Sequence, residues 1–257
     1  MPGPFRLLLA LIRFILFLLL SIIMISIILL VNILLGKDMD RAIWQRKIYT
    51  KVVLWMLGVH IQYRGELPSG ASMIVSNHRS YLDPFPKLTL LRAVPIAKSE
   101  LASWPIIGLG AELSGIIFLE RGNKSNRRHT RQVIADTIKS GFNVINYVEG
   151  TTHKKLQTID FKPGSFIMAS EEGLAITPAA IDYKSLEAAW VGDDTFVPHF
   201  IRCFGHWRME VKISFGASIR SEDPHFLIER AKNFIDQELL IFREEWETSE
   251  LPITSNR

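Results

Sequence analysis

An uncharged apolar run near the start constrains this chain more than any other feature. From Phe14 to Leu35 the sequence reads FILFLLLSIIMISIILLVNILL, which is 22 residues without a charged side chain. A helix rises about 1.5 Å per residue, so this run covers roughly the 30 Å hydrocarbon core of a bilayer. A soluble core helix seldom stays apolar on every face over such a length. The run therefore predicts a membrane helix, and residues 1–36 are assigned to an N-terminal membrane anchor.

The residues flanking the run favour an anchor over a cleaved signal peptide. Signal peptides have a shorter apolar segment followed by small residues at the cleavage site, and residues 32–36 offer no A-x-A-like site. Basic residues are more numerous after the run than before it: Lys37, Arg41, Arg46, Lys47 and Lys51 against Arg6 and Arg13. This excess favours a C-terminal domain on the cytoplasmic face. A helix pair that dips into the bilayer and returns to the same side would show the same charges.

Composition narrows the class of the remaining chain. Its 257 residues suffice for one sizeable α/β domain beside the anchor. The net charge of +4 is too mild for a nucleic-acid-binding protein, in which Lys and Arg are usually concentrated in patches, so we expect no nucleic-acid partner. A small positive excess suits an anionic membrane surface or a phosphorylated substrate. Cys203 is the single cysteine, which excludes a disulfide framework and a thiolate metal cluster.

Alternating helical and strand patterns predict a single mixed α/β domain over residues 37–257. The clearest strand signal lies between Val211 and Ile219, where apolar residues alternate with polar or small ones. We predict helices over 39–57, 125–140, 164–172 and 224–246, and strands over 59–63, 72–76, 142–148, 174–181 and 211–219. Interleaved strands and helices indicate an α/β fold.

The most informative polar segment is SNHRSYLD, residues 76–83, which leaves a predicted buried strand. His78 and Asp83 are five positions apart, a spacing that separates them on a helix, so they pair only if the chain turns between them. We expect Pro84 to favour that turn by pushing Asp83 toward extended dihedrals. A carboxylate on one imidazole nitrogen leaves the other free to take a proton. The alternative is a structural histidine in a turn, with Asp83 as a helix N-cap.

The segment NHRSYLD resembles the NHxxxxD block (the HxxxxD motif) of the glycerolipid acyltransferase family, which includes 1-acylglycerol-3-phosphate acyltransferases. Further segments resemble that family's other blocks in the same order: AKSEL at 97–101, GIIFLER at 115–121, VEGT at 148–151, FKPG at 161–164 and ITPAAI at 176–181. The similarity covers about residues 58–220. A single block would carry little weight, but this ordered set is specific.

The resemblance implies an α/β membrane acyltransferase that moves a fatty acyl group from acyl-CoA or acyl-carrier protein to a lysophospholipid hydroxyl. It implies His78 as the base, Asp83 as its orienting carboxylate, and Arg121 as a contact for the acceptor's phosphate. Substrate contacts are expected from Asn77, Arg121, Glu149, Gly150 and Thr151. Membrane lipids are the expected partners, and no metal or organic cofactor is needed.

The physical character of these residues agrees with the implied roles. Arg121 ends an apolar run, where a guanidinium can grip a phosphate through paired hydrogen bonds. Gly150 follows a predicted strand and permits a sharp turn close to a ligand. For Glu149 two roles stay open, namely pairing with Arg121 or ordering the loop. For the basic residues Lys124, Arg127, Arg128 and Arg131 two interpretations stay open: a solvated helix start, or a contact with anionic headgroups or carrier phosphates.

Two positions depart from the third block, which usually reads FPEGTR. Val148 stands where the family has proline, and Thr152 stands where it has arginine. The second change removes one expected phosphate contact, although His153, Lys154 and Lys155 follow directly. The favoured acceptor is 1-acylglycerol-3-phosphate, giving phosphatidate, and the alternative is an N-acyl amino acid lipid of the ornithine or glycine type. A catalytically silent lipid-binding module is the alternative from another class. His199, Cys203 and His206 lie close in sequence without matching zinc ligands and are interpreted as structural.

Overall fold

The computed structural model of this protein describes residues 3–104, 106–119 and 124–250, and for residues 124–127 and 250 it describes the backbone alone. Helices and strands alternate along the described chain. The helices are α1 (Pro4–Leu35), α2 (Met39–Met56), α3 (Pro84–Leu90), α4 (Ile107–Leu113), α5 (Lys124–Lys139), α6 (Gly164–Glu171), α7 (Phe196–Phe204) and α8 (Pro224–Glu250). The strands are β1 (Val59–Arg64), β2 (Met73–Ser76), β3 (Ala93–Lys98), β4 (Ile117–Leu119), β5 (Asn143–Tyr147), β6 (Ile176–Tyr183) and β7 (Met209–Phe215). Short 3-10 helices occupy Ser99–Ser103 and Leu186–Ala188.

The strands form one sheet in the order β1-β7-β6-β2-β5-β3-β4. Neighbouring strands run parallel except β6 and β7, which are antiparallel. The sheet is therefore mixed, and its strands interleave with helices along the chain, which confirms the predicted α/β fold. β2 lies at its centre, and all four of its residues are buried. Because β5 and β6 run parallel to β2 on either side, the carboxyl ends of these three strands meet at one edge of the sheet.

Each face of the sheet carries its own apolar core. Ile74 of β2 belongs to the core shared with α1, α2, α3 and α7, which we call the anchor-side core. Met73 and Val75 belong to the core covered by α5, α6 and α8, on the opposite face. This division follows from the strand period of two, because successive side chains point to opposite faces. A continuous apolar run such as β2 is the pattern expected of a strand covered on both sides.

The predicted elements are present with boundaries that differ by a few residues, except at the end of β7. That strand was predicted to reach Ile219, but it ends at Phe215, and Ile219 forms only an isolated bridge with Ile176. The partner strand contains Pro178 at this point, and proline has no N–H to continue the ladder. The sequence prediction missed α3, α4, α7 and β3, whose apolar stretches are too short to show a period. The apolar run before Arg121 contains β4.

Helix α1 contains the predicted membrane run and begins ten residues before it. One stripe of the helix is buried against the domain, through Ala10, Arg13, Phe17, Ser21 and Ile28, and its other faces expose leucine and isoleucine side chains. By length and composition it is the one helix of the described chain that suffices to cross a membrane. An exposed apolar surface of this extent is typical of a surface in contact with lipid or protein.

Arg13 attaches α1 to the rest of the molecule. Its guanidinium donates to the carbonyl oxygens of Met56 at 3.1 Å, Phe204 at 3.0 Å, His206 at 2.6 Å and Trp207 at 3.1 Å. These carbonyls lie at or just beyond the C-terminal ends of α2 and α7, where helices leave acceptors unpaired. In the sequence Arg13 resembles a charge that flanks the membrane run. In the fold it is a buried residue of α1 that binds the helix to the rest of the domain.

Candidate active site

The site begins at Asn77, immediately after β2. The Asn77 amide donates to the Ile181 carbonyl at 2.8 Å, and its oxygen accepts from the Ile181 N–H at 2.9 Å. The side chain is fully buried. It ties the end of β2 to β6, and both halves of its amide are engaged in doing so. The predicted substrate contact of Asn77 is therefore corrected to a positioning contact within the sheet edge.

His78 and Asp83 pair across a turn. His78 Nδ1 lies 2.7 Å from Asp83 Oδ2, so the spacing-based prediction of a turn between them is confirmed geometrically. The predicted reason was wrong, because Asp83 has helical dihedrals (φ −53°, ψ −34°) rather than extended ones. The turn closes through the Asp83 N–H, which donates to the Ser80 carbonyl at 3.1 Å. Asp83 makes no side-chain cap on α3, so the N-cap alternative is also wrong.

The Asp83 carboxylate is fully buried and accepts from three donors besides the imidazole. They are the N–H groups of Arg79 at 2.6 Å and Ser80 at 3.0 Å, and the Tyr183 hydroxyl at 2.8 Å. Burial by itself would raise the pKa of Asp83, but the hydrogen bond and charge of His78, with the charge of Lys87, bring that pKa below its usual value. The group stays anionic, as an orienting carboxylate requires.

Two contacts besides Asp83 fix His78, one through its ring and one through its backbone. It stacks on Tyr147, with ring centroids 4.2 Å apart and planes 18° from parallel, and its own backbone N–H donates to Glu149 at 2.6 Å. With Nδ1 on Asp83, the other nitrogen, Nε2, has no hydrogen-bond partner in the described chain. The side chain is 22% exposed. A partly exposed, oriented imidazole with one free nitrogen is the arrangement of a general base.

Glu149 follows β5 and orders two loops. Its buried carboxylate accepts from the N–H groups of His78 and Ile159 and lies 2.8 Å from His153 Nε2. Of the two roles left open by the sequence, the described contacts match loop ordering. Gly150 turns the chain with a positive φ of 71°, and the next residue, Thr151, is exposed at the same edge. The predicted phosphate contact, Arg121, lies outside the described residues.

A buried network built on Arg79 supports Glu149. Arg79 Nη1 lies 3.0 Å from His153 Nδ1, and the Lys155 N–H donates to that same nitrogen at 3.1 Å. Arginine can only donate, so Nδ1 accepts and the proton sits on Nε2, which donates to Glu149. Thr152 turns inward, and its hydroxyl donates to the Trp190 carbonyl. The position at which the family usually carries arginine is thus occupied by an inward-facing hydroxyl.

Two cavities are lined by residues that neighbour or support the pair, although His78 and Asp83 themselves line neither of them. The apolar cavity has a volume of about 240 Å³, lies among α1, α2, α3, α4 and α7, and reaches Tyr81 and Leu82 inside the His78–Asp83 turn. The polar cleft has a volume of about 270 Å³ and touches the pair's supports, Arg79 and Tyr183. Its other charged lining residues are Lys154, Lys155, Asp182, Arg243 and Glu247. Asp182 pairs with Arg79 and Arg243, whereas Lys154, Lys155 and Glu247 have no ion-pair partner in the described chain.

Sequence reasoning missed three residues of this site, Tyr147, Tyr183 and Arg79, and it named His153 only as a residue that follows the missing arginine of the third block. Arg79 was inside the recognised block, yet nothing in the sequence indicates that its side chain faces Asp182 rather than a substrate. Tyr183 lies only two residues beyond the ITPAAI segment. Of the basic residues at the start of α5, Arg131 pairs with Glu171 and Arg128 is exposed, while the side chains of Lys124 and Arg127 lie outside the described part.

The C-terminal histidines do not form a metal site. No group of three or more His, Cys, Asp or Glu side chains within the described ranges is arranged to hold a metal ion. His199 and Cys203 are buried in the anchor-side core region, and His206 pairs with Glu187 at 3.0 Å on the surface. These contacts agree with the structural interpretation of this segment.

The sequence of this chain is similar to those of known acyltransferases. Residues 59–182 match the sequence model of the family described as Acyltransferase. The lyso-ornithine lipid O-acyltransferase of Rhizobium meliloti is 30% identical over 219 residues, covering 77% of this chain and 75% of that protein. The 1-acyl-sn-glycerol-3-phosphate acyltransferase of Neisseria gonorrhoeae is 29% identical over 118 residues, covering 46% of each.

A solved structure shares the fold. The crystal structure of the 1-acyl-sn-glycerophosphate acyltransferase PlsC from Thermotoga maritima superposes with a TM-score of 0.61 and 18% sequence identity, covering 90% of this chain and 98% of that one. At this identity the likeness concerns the fold, and it includes the mixed sheet and the helices around it.

Proposed function

This chain belongs to the acyltransferase family, and from that premise we propose that it acylates the free hydroxyl of a lyso-lipid, with lyso-ornithine lipid as the preferred acceptor. His78 is the proposed base and Asp83 its orienting carboxylate. The observation that carries this proposal is the 2.7 Å contact between His78 Nδ1 and a fully buried Asp83. Among the described residues, Nε2 has no hydrogen-bond partner, and the ring is partly exposed.

The proposed reaction is a direct transfer within a ternary complex. His78 Nε2 takes the acceptor's hydroxyl proton while the oxygen attacks the thioester carbonyl carbon. The tetrahedral intermediate then expels the thiolate with cleavage of the C–S bond, and the imidazolium returns the proton to the thiolate. Proton transfer of this kind contributes about 10²–10⁴ in rate. Asp83 stabilises the imidazolium formed between the two steps.

A covalent acyl-enzyme is not part of the proposal. Burial raises the pKa of Cys203 to about 12, so at neutral pH its thiol is protonated and inert. The Ser80 hydroxyl lies next to the pair but is buried. Both substrates must then bind together, an arrangement that lowers the barrier because two reactants are already held in place.

The apolar cavity beside the pair suits a fatty acyl chain. It lies between α1 and the domain, and its lining contains Tyr81 and Leu82 from the turn that joins His78 to Asp83. An acyl chain lying there would place its carbonyl end near the base. The acyl donor is proposed to be acyl-CoA or acyl-carrier protein, without a metal or organic cofactor.

The preference for lyso-ornithine lipid rests on charge. Thr152 faces inward where the family usually presents arginine, so one cation suited to a phosphate is missing. The polar cleft is lined by charges of both signs, in Lys154, Lys155 and Glu247, and these three have no ion-pair partner within the described residues. A carboxylate with an ammonium group would match such a cleft better than a dianionic phosphate. The relative from Rhizobium meliloti aligns over 77% of the chain, against 46% for the one from Neisseria gonorrhoeae.

Lysophosphatidate is the second candidate acceptor. It is favoured by the ordered sequence blocks and by the basic pair Lys154 and Lys155 directly after the Glu149–Thr151 turn. For either acceptor, α1 is proposed to lie in the membrane with its exposed apolar faces, which keeps the site at the surface where both lipid tails dissolve. The domain is proposed to face the cytoplasm, in keeping with the basic residues that follow α1.

The test uses the full-length protein in detergent micelles with an acyl thioester and either lyso-ornithine lipid or lysophosphatidate. Products are identified by mass spectrometry, and thioester loss is followed with and without acceptor. We expect acceptor-dependent loss, with a higher kcat/KM for lyso-ornithine lipid. A higher kcat/KM for lysophosphatidate would reverse the acceptor assignment, and thioester loss without any acceptor would indicate a thioesterase.

A matched pair of variants tests the base. His78→Gln removes the imidazole and is expected to lower kcat by about 10²–10⁴. The control is His60→Gln, at an exposed position of edge strand β1, for which wild-type turnover is expected. Equal turnover in the two variants would remove His78 from the mechanism. Wild-type protein that binds the lyso-lipid but does not convert it would favour a silent binding module.

A further inference from the structure

Lys87 is the most unusual side chain near the pair. It lies on α3 with 0% of its surface exposed and is among the largest fully buried side chains. Its Nζ has no hydrogen-bond partner in the described chain and forms no ion pair with the described carboxylates. Lysine is almost never fully buried without a partner, because a charge removed from water is costly unless it is compensated.

The position of Lys87 links it to both members of the pair. It follows Asp83 by four residues, one helical turn along α3. Its Nζ lies 4.9 Å from the centroid of the Tyr147 ring, and that ring stacks on His78 at 4.2 Å. The Tyr147 hydroxyl is also buried without a hydrogen-bond partner in the described chain. The ring thus joins an ammonium group to the imidazole without a direct contact between them.

We propose that Lys87 is a positioning residue of the acyl transfer, whose buried ammonium opposes the charge of Asp83 and so limits how readily His78 takes and keeps a proton. Lys87 does not touch the substrate in this role; it acts through Asp83 and Tyr147. The inference rests on the proposed function, because it needs His78 as the base.

The charges around Lys87 agree with this role. Asp83 is the anion whose charge acts on Lys87, and it faces His78, Tyr183 and two backbone N–H groups. Glu149 is turned to the His78 N–H and to His153. Helix α2 packs against α3 and buries Arg46, whose guanidinium donates to the carbonyls of Ala93 and Ser114. No described carboxylate other than Asp83 is placed to compensate Lys87.

These positions determine whether the Lys87 charge favours or disfavours a positive charge on His78. Burial lowers the pKa of Lys87 to about 8, although the charge of Asp83 opposes that shift. Below this pH the ammonium is present and disfavours a second positive charge on His78. The pKa of Asp83 lies below its usual value, so Asp83 stays anionic across a neutral assay range. Loss of Lys87 would then leave the carboxylate unopposed and make the protonated imidazole more stable.

The experiment measures kcat/KM against pH for wild-type enzyme, Lys87→Met, Lys87→Arg and the control Lys139→Met, at an exposed lysine on α5 paired with Glu172. The acid limb reports protonation of the free enzyme's base. In Lys87→Met we expect this limb to move to higher pH by about one unit. Lys87→Arg keeps the charge and should restore the wild-type limb, and Lys139→Met should not move it.

Folding is checked alongside by thermal unfolding. Lys87→Met exchanges an unpartnered buried charge for an apolar side chain, so its Tm at pH 7 should equal or exceed that of wild type. An acid limb in Lys87→Met that coincides with wild type would overturn the proposal, and so would a Lys87→Met protein that fails to fold. If a folded variant turns over too slowly for a profile, the His78 imidazole is titrated by NMR, with its signal assigned by its absence in His78→Gln.

The two proposals fail differently. Wild-type turnover in His78→Gln would contradict the assignment of His78 as the base, and with it the proposed role of Lys87. An inactive His78→Gln together with an unmoved acid limb in Lys87→Met would remove only the role of Lys87.

Discussion

Two histidines of this protein occupy opposite kinds of environment, although both lie near the edge where the central strands end. His78 Nδ1 is hydrogen-bonded to a buried carboxylate, its Nε2 has no partner in the described chain, and its side chain is 22% exposed. His199 on α7 is fully buried, with Nδ1 3.3 Å from the Tyr81 hydroxyl and Nε2 3.2 Å from the Ala189 carbonyl. Both nitrogens of His199 are therefore occupied.

The difference lies in what each ring can do with a proton. Burial lowers the pKa of His199, with the nearby Arg202 charge adding to that shift and the Ala189 carbonyl opposing it, so the ring stays neutral as a packed donor and acceptor. His78 faces the Asp83 carboxylate through Nδ1, and its Nε2 has no hydrogen-bond partner among the described residues. A base in this fold needs a carboxylate and an unoccupied nitrogen together.

Among substitutions around His78, Asp83→Asn should lower kcat most. The N–H groups of Arg79 and Ser80 would hold the amide oxygen where Oδ2 now lies, so the imidazole keeps its tautomer but loses the facing charge. We expect kcat to fall by about 10²-fold, the difference between a charge-assisted and a neutral hydrogen bond at its upper end. The acid limb of the pH profile should move to lower pH, opposite to the shift in Lys87→Met. An acid limb that moved upward would contradict the assigned charge of Asp83.

Tyr183→Phe is a smaller perturbation of the same carboxylate. It removes the hydroxyl that donates to Asp83 at 2.8 Å. Burial first, and then the charge of Asp83, hold the pKa of Tyr183 well above its usual value, so this donor is protonated at any assay pH. Losing one neutral donor should lower kcat by roughly fivefold, equivalent to about 1 kcal/mol. Steady-state kinetics at pH 7.5 would measure it, with exposed Tyr63→Phe as the control. No change beyond the control would mean that the carboxylate needs no support from β6.

His199→Gln should have the smallest effect on catalysis, with turnover per folded molecule within about twofold of wild type, because the ring is a packing group. Stability should respond instead. The folded pKa of His199 is depressed, so the wild-type protein loses stability as pH falls from about 6.5 toward that lower value, since only the unfolded chain takes up the proton. The Tm deficit of the variant should therefore narrow between pH 8 and pH 5.5. Loss of turnover on the scale of His78→Gln would erase the distinction between the two histidines.

Much of the site was predictable from local sequence. The spacing of His78 and Asp83 required a turn, and the turn exists, because the two residues are close along the chain and few backbone paths join them. The prediction for Asp83's dihedrals failed because contacts to its side chain outweighed a local backbone preference. Pro84 disfavours the helical region for the preceding residue, but three donors besides the imidazole converge on the Asp83 carboxylate and hold it there.

The long-range partners were not predictable. Asn77 pairs with Ile181, which is 104 residues away, and the Tyr183 hydroxyl reaches Asp83 across 100 residues. These contacts depend on β6 lying beside β2 in the sheet, and no local pattern encodes that order. Lys87 looks like an ordinary exposed lysine in the sequence, because a single charge in a short helix carries no sign of its burial.

The sequence by itself determined the apolar helix, the interleaved strands and helices, and the imidazole and carboxylate placed after a buried strand. Each depends on neighbours within a few turns of chain, where composition and period govern the outcome. Only the tertiary structure decided which polar groups stay free. In the described part of the chain, Asn77, Arg79 and Glu149 are engaged in internal hydrogen bonds, His78 Nε2 has no partner, and Lys87 is buried. Burial and hydrogen bonding are decided where distant segments meet at the sheet edge.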